Sequence, residues 1–531
     1  MRMLTTIATA LALFASAAFG AFSFESTPFW QNSGGAGKYH TGLQWHDLDG
    51  DGYLDLFLSN GNDMQMVRNY IFRNDGGTLP IFPTWQSSNN EYSGHCAIGD
   101  LNYDGYPEMV VANFLGSGGF STPNNMDAYL NSAGTMGTNP WWTSDDSTWA
   151  FSCALGDIDG DGDLDVAFAS GTAYVNQYEN QRAYYNIGGV FEATPSWMSG
   201  NTSAMIDVTM GDVDGDGDLD LAYCGDENRV MIYFNDAGVI ETLPGWQSLD
   251  VQSSNTLAFG DIDGDGWLDL AVADNNQLSG VGKFKVYHNE MGTLNPTPYW
   301  QSNTGGYGSA VSWCDLDCDG DMDLAAGRWW SEVFIYENTG TTLSSTPAWI
   351  SSGTYSSVIE EIQFADVDRD GVGYYSESIS IIPGRKLYYL ERKPLHSIDS
   401  VFVDGVKLGF DERCYNLVDG WVSVGTAPVT SMTIYYQWSY KPDMGVSNWD
   451  VSSYVFANIS PPPSVPGDAD GSGEVDIDDA VHLIAYIFTG GPAPVDLSTG
   501  DADCSGQIDI DDVVYLIAYI FIPGSPEPCY L

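Results

Sequence analysis

The chain has 531 residues, 43% hydrophobic and 13% aromatic, enough for two to four domains with large buried cores. Its 72 acidic residues against 17 basic ones give a formal net charge of −55, which leaves no basic face for a phosphate backbone and argues against nucleic acid as a partner.

In chain order, the first element is a leader. Arg2, an Ala-rich apolar run and the small residues around Ala18-Phe19-Gly20 read as a secretory signal peptide over residues 1–20, removed near Ala21. No later segment reads as a membrane span. The expected setting is extracellular, where calcium is available and disulfides persist.

An acidic nine-residue loop then recurs seven times, starting at Asp47, Asp100, Asp157, Asp212, Asp261, Asp315 and Asp366, 49 to 57 residues apart. Four copies read D-x-D-G-D-G-x-L-D. Carboxylates at alternating positions repel one another unless a cation neutralises them and their oxygens converge on it. Calcium takes six to eight hard oxygen ligands, whereas zinc or copper would call for the His and Cys that the loop at Asp157 lacks. Positions 1, 3, 5 and 9 present side chains, position 7 a carbonyl, and glycine at position 6 permits the sharp turn. The expected Ca2+ ligands are Asp47, Asp49, Asp51 and Asp55; Asp100, Asn102, Asp104 and Glu108; Asp157, Asp159, Asp161 and Asp165; Asp212, Asp214, Asp216 and Asp220; Asp261, Asp263, Asp265 and Asp269; Asp315, Asp317, Asp319 and Asp323; and Asp366, Asp368 and Asp370. The seventh loop carries Tyr374 at position 9, so it is expected to be the weakest or empty.

A second repeat, Pro-x-Trp, keeps phase with the first, with tryptophans at 30, 85, 142, 197, 246, 300 and 349. Each unit reads as four short strands in roughly 50 residues, the pattern of a propeller blade. Residues 21–393 are therefore expected to form a seven-bladed β-propeller, monomeric, with a core of residues such as Trp45, Leu155 and Phe259 two positions before each loop. Pro28-Phe29-Trp30 precedes any blade of its own and is expected to close the ring on the blade around residues 360–393.

Over about residues 24–393 these loops resemble the FG-GAP/VCBS repeats of integrin-α-like propellers. The resemblance implies the propeller fold and calcium, and relatives that include adhesion modules, sugar-binding proteins and some polysaccharide lyases.

Beyond the repeats, seven of the 17 basic residues fall between Arg385 and Lys441. Alternating segments such as SMTIYYQWSY make residues 394–458 a small β-sandwich-like domain. Residues 443–459 nevertheless look like the second half of a repeat, which leaves open whether they belong to the sandwich or the propeller. A stiff Pro-rich linker covers 459–466.

Residues 467–531 hold two near-copies of a calcium loop running into an apolar helix. Asp468, Asp470, Ser472, Asp476 and Asp479, and Asp501, Asp503, Ser505, Asp509 and Asp512, have EF-hand spacing, with Asp in place of Glu at position 12 and no entering helix. This duplicated half-hand resembles the dockerin domain. The resemblance implies a small α-helical domain that binds a cohesin on a scaffold or surface protein, with Ile477, Asp478, Ile510 and Asp511 at the partner-binding helix starts. These four depart from the Ser/Thr common in cellulosomal members.

Cys504 and Cys529 are placed to close that tail domain, and Cys96 and Cys153 sit at equivalent inner-strand positions as small buried residues. No nucleophile with a base stands out, and the six histidines form no metal pattern. Trp329-Trp330 beside Arg328 either stack on sugar rings or bury between blades. The leading reading is a secreted, calcium-binding propeller that binds a ligand such as a carbohydrate, or mediates adhesion, and is anchored to a cohesin-bearing complex. The alternatives are a polysaccharide lyase or glycoside hydrolase recruited by the same tail, and a structural surface-layer component.

Overall fold

Runs such as DLAVA and DLAYC, bounded by glycine-rich acidic loops, are too short for helices and apolar on both faces, so they form strands packed on either side. A computed structural model describes residues 22–33, 38–460, 467–469, 475, 477–494, 497–503, 507–522, 525 and 528. The expected signal peptide and most of the expected linker lie outside the described residues.

The larger unit comprises Ser23–Leu316 and Gly320–Ile459. Its repeats build five four-stranded antiparallel sheets in turn, and the last two repeats share one eight-stranded sheet, joined where Asp323–Ser331 pairs with Ser357–Ala365. The first is made of His40–His46, Asp55–Asn60, Tyr70–Phe72 and Trp85–Gln86. Second strands such as Asp55–Asn60 and Asp165–Ser170 are buried at every position, because a neighbouring sheet covers each face. The inner strands His40–His46, Tyr92–Gly99, Ala150–Gly156, Met205–Gly211, Ser253–Gly260, Gly308–Cys314 and Ser357–Ala365 neighbour one another in sequence, and the last returns to the first. The sheets are propeller-like, curled around a cavity of about 170 Å³.

Two repeated hydrogen bonds tie most sheets to a neighbour, the indole bond being absent at Trp300. The indole N–H of Trp30, Trp85, Trp142, Trp197 and Trp246 donates to a carbonyl of the following repeat at 2.8–3.2 Å, and Trp349 donates back to Phe24 at 3.2 Å. In the opposite direction, the side-chain amides of Asn131, Asn186, Asn235, Asn289 and Asn338 donate to the second-position carbonyl of the preceding acidic loop at 2.7–2.9 Å. Asn74 adds a sixth by donating to Val367 at 2.7 Å. Replacing Asn74 with Leu leaves that buried carbonyl unpaired and should cost about 1–3 kcal/mol, read as a lower urea midpoint at unchanged slope.

The last sheet departs from expectation. Trp30–Gln31 does close the ring, but it pairs with Tyr454 and Val455, and the middle strands are Asp443–Asn448 and Tyr454–Phe456. Residues 443–458 thus belong to the seventh repeat, and the expected boundary between 393 and 394 falls inside an insertion. That insertion pairs Val372–Ile379 and Leu395–Val403 with Met432–Ser439, and Leu387–Tyr389 and Arg413–Asn416 with Trp421–Val424. Its own core includes Tyr388, Ile398, Val401, Val422, Ile434 and Tyr436. Tyr388 sits in that core, whereas Leu387 on the same strand packs with Trp421 and Cys414 in a cluster shared with ring residues such as Leu155 and Met210.

The second unit is built mainly from Ser460–Leu531. Helices Ile477–Thr489 and Ile510–Phe521 pack through Ala480, Leu483, Val513 and Leu516, with Ala469 and Ala502 filling the gap. Asp509 caps the second helix, accepting the Asp511 N–H at 2.8 Å while Asp512 accepts the Asp509 N–H at 2.7 Å. A single helical turn, Leu497–Gly500, enters the second loop, where none was expected. Cys504 and Cys529 lie outside the described residues. Among those residues no helix is long and apolar enough to cross a membrane.

Candidate metal centres

Each acidic loop is wound by its own backbone onto its first carboxylate. In the first loop Asp47 accepts the N–H groups of Gly50 at 2.7 Å and Gly52 at 2.9 Å, and Asp51 accepts that of Tyr53 at 2.9 Å. The turn drives Gly52 to φ +90° and its counterpart Gly162 to +99°, a region that L side chains resist. The ninth-position acid is held by two backbone donors, one from loop position 2 and one from the recurring Asn. Asp165 accepts Ile158 at 3.0 Å and Asn186 at 2.7 Å; Asp220 accepts Val213 at 2.9 Å and Asn235 at 2.8 Å.

This winding brings the predicted ligands together. The carboxylate oxygens of Asp47, Asp49 and Asp55 lie within 4.8 Å of one another, as do those of Asp157, Asp159 and Asp165, of Asp212, Asp214 and Asp216, and of Asp261, Asp263 and Asp265. Ligands on opposite sides of a calcium ion at 2.3–2.6 Å stand about 5 Å apart, so these spacings fit. The donor set is all oxygen, and the buried Oδ1 atoms of Asp157 and Asp212 have no hydrogen-bond partner. Burial pushes Asp55 and Asp269 up to about 7 and Asp220 and Glu108 to about 8, so their charge calls for a cation.

A sequence profile for the FG-GAP-like repeat matches residues 47–111, 212–272 and 261–326. The chain carries FG-GAP-like repeats. No curated protein matches it. Among solved structures it is similar to BBS1N in complex with ARL6DN, at 10% identity and TM-score 0.44 over 65% of this chain and 92% of that one. It is also similar to the computationally designed Ika8 protein (9%, TM-score 0.41, 79% and 96%) and to Saccharomyces cerevisiae Sqt1 (9%, TM-score 0.39, 79% and 96%).

Not every predicted ligand is arranged alike across the repeats. In the second loop Asn102 turns its amide N–H₂ to Glu108 at 2.9 Å. In the seventh, Tyr374 is 73% exposed and belongs to the insertion, opposite Gln437. In the tail, Asp468, Asp479, Asp501 and Asp512 are buried, and Asp512 accepts the Asp503 N–H at 3.2 Å. Asp470, Ser472, Asp476 and Ser505 lie outside the described residues.

Sequence reasoning missed several residues around these loops. Arg73 pairs with Asp49 at 3.2 Å and Asp55 at 2.9 Å, and His288 meets Asp263 at 2.9 Å and completes a metal-capable group with Asp269. The insertion reaches three loops: Arg385 pairs with Asp212 at 2.5 Å, Lys386 donates to Gly160 at 2.5 Å, Ser423 donates to Asp157 at 2.6 Å, and the His396 ring bonds the Gly52 carbonyl at 2.9 Å. The available signal was the concentration of basic residues after Arg385 in so acidic a chain. The insertion also covers one mouth of the central cavity, which Tyr415–Asp419 line together with Gln44, Ala154 and Gln363.

Inside that cavity Asp207 accepts Ser152 Oγ at 2.5 Å and the Leu257 N–H at 3.1 Å, and lies 3.3 Å from His95 Nδ1. Burial alone would lower the His95 imidazole, but Asp207, with Glu361 and Glu360 adding, raises it to about 9. Burial also raises Glu361 to about 7 and Glu360 to about 8. The charged His95 stabilises the fold below its ordinary 6.5, and that contribution is lost as pH rises through about 9, in the same direction as the two glutamates. Thermal stability should therefore fall between pH 6 and 9. Asp207→Asn should flatten the His95 share of that fall and cost about 3–5 kcal/mol at pH 6.

Proposed function

We propose that this chain is a secreted, calcium-stabilised seven-bladed propeller that serves as a ligand-binding module and is held to a cohesin-type partner by its dockerin-like tail. The observation that carries the anchoring is a pair of matched exposed stripes: Ile477, Val481, Ile484 and Phe488 on one helix, and Ile510, Val514, Ile517 and Phe521 on the other. Each follows i, i+4, i+7, i+11 spacing, so one helix face is apolar and open, as a helix that docks on a partner requires. Two equivalent faces give the partner two docking orientations.

For the ring, the ligand side is the mouth away from the insertion. Strand Asp323–Ser331 starts at its acidic loop and ends there, at Trp330, which is 57% exposed at φ +56° where the pairing register shifts. Tyr307 stands edge-on to it at 5.4 Å, so two flat aromatic faces are open to a sugar ring. Arg328 stays structural, buried over Phe284 and bonded to the Thr304 carbonyl at 2.6 Å.

The test incubates the calcium-loaded full chain with a polysaccharide panel and with cohesin-bearing scaffold proteins, recording retention and new chain ends. Val481→Asp with Val514→Asp should abolish scaffold retention, and Trp330→Ala should lower glycan retention at least tenfold, each without moving the melting temperature. New chain ends would replace the binding reading with the enzyme one. Retention by neither class would overturn the proposal.

A further inference from the structure

The seventh acidic loop, DVDRDGVGY, has three acids and then Tyr374, whose ring points away in the insertion. The place of its ninth-position acid is not vacant. In the first to sixth repeats that acid opens the second strand and accepts two backbone N–H groups, from loop position 2 and from the recurring Asn. Asp443 opens Asp443–Asn448, is 3% exposed, and accepts the N–H of Val367 at 3.1 Å and of Asn458 at 3.1 Å. Asp55, Asp165, Asp220 and Asp269 do the same with Leu48 and Asn74, Ile158 and Asn186, Val213 and Asn235, and Ile262 and Asn289.

We propose that Asp366, Asp368, Asp370 and Asp443 form one divalent-cation centre of the calcium class, split in sequence by the insertion. The proposal rests on the reading of the other loops as calcium sites. The observation that calls for an ion is Asp366. Its side chain is fully buried, its Oδ2 accepts the Gly371 N–H at 2.8 Å, and its Oδ1 has no partner. The same oxygen is left open in Asp157 and Asp212. Asp443 stands opposite Ala365 across the strand pair, next to Asp366, and Asp368 accepts the Asp370 N–H at 3.2 Å, so the loop folds back on itself beside the returning strand. Lys441 already places an ammonium on Asp370 from the returning strand.

The centre has a consequence that a continuous loop lacks. The chain leaves the ring after Asp370 and re-enters at Asp443, so one ion would clamp both roots of the insertion whose other end covers the cavity. Metal at this centre would therefore hold the insertion on the ring as well as close it.

The test uses the full chain, dialysed to equilibrium against calcium, with bound ions counted by mass spectrometry and folding checked by near-ultraviolet circular dichroism. Asp443→Asn should bind one ion fewer than wild type, as should Asp165→Asn in the unbroken third loop. Because Asp443 is buried, exposed Asp368→Asn provides a variant that keeps the fold, and it too should lose one ion. Combined with Asp443→Asn it should lose no second ion, since both belong to one centre. Trypsin cleavage at Arg369 and Lys441 should speed up at least tenfold in either variant at saturating calcium. An unchanged ion count in Asp368→Asn and Asp443→Asn, beside a loss in Asp165→Asn, overturns the split centre. A wild type that binds no calcium overturns the loop reading itself.

Discussion

Chelating calcium from the full chain is expected to lower its melting temperature by on the order of 20 °C. The acids responsible are buried: Asp165 and Asp220 are fully covered, and burial holds both above the ordinary carboxylate range. Without a cation, each loop must either bury charge against like charge or keep its carboxyls protonated, and both disfavour folding near neutral pH. A bound ion at about 100 times its dissociation constant contributes about 2.7 kcal/mol per site, and the sites add along the ring. Scanning calorimetry with EDTA and calcium add-back measures the shift. Magnesium should restore only part of it, because it demands octahedral geometry at shorter distances.

The second large effect is expected at Trp421. This insertion residue has no exposed surface and packs among Leu155, Met210 and Leu219 of the ring and Leu387 and Cys414 of the insertion. Gly156 makes room for two of those ring neighbours, since a Cβ there would come within 2.5 Å of Met210 Sδ and 2.7 Å of Leu219 Cδ1. Trp421→Ala should cost about 3–5 kcal/mol. Because the side chain joins insertion to ring, the loss should appear first as faster trypsin cleavage within residues 372–440, and then as a lower melting temperature. Tyr435→Ala, at a 44% exposed position of the insertion, should leave both unchanged.

What the sequence discloses here is what repeats. The acidic loops and the Pro-x-Trp residues recur at matched spacing, and the packing role of the tryptophans follows from period alone: Trp85 and Trp142 reach the next repeat as packing residues should. The Asn staples recur just as regularly, in YIFRN, AYYN, VYHN and IYEN, but an amide has no fixed partner in a sequence, and only the fold shows that Asn289 spans 76 residues to Val213. The insertion hides for the opposite reason. It breaks the period once, so Tyr374 falls where an acid is due, and Asp443 falls where no loop is being sought. The basic residues after Arg385 stand out in composition, yet composition carries no direction, and their contact with Asp212 and Gly160 appears only in three dimensions. The pairing of His95 with Asp207, 112 residues apart, has no local signal at all.

The measurement that tests the central claim most directly is the number of calcium ions bound per full-length chain, by equilibrium dialysis and elemental mass spectrometry. Seven ring loops and two tail loops predict nine ions, the last lost only at the lowest free calcium. A count of two or fewer, with a melting temperature indifferent to chelation, would confine metal to the tail and contradict the account of the ring.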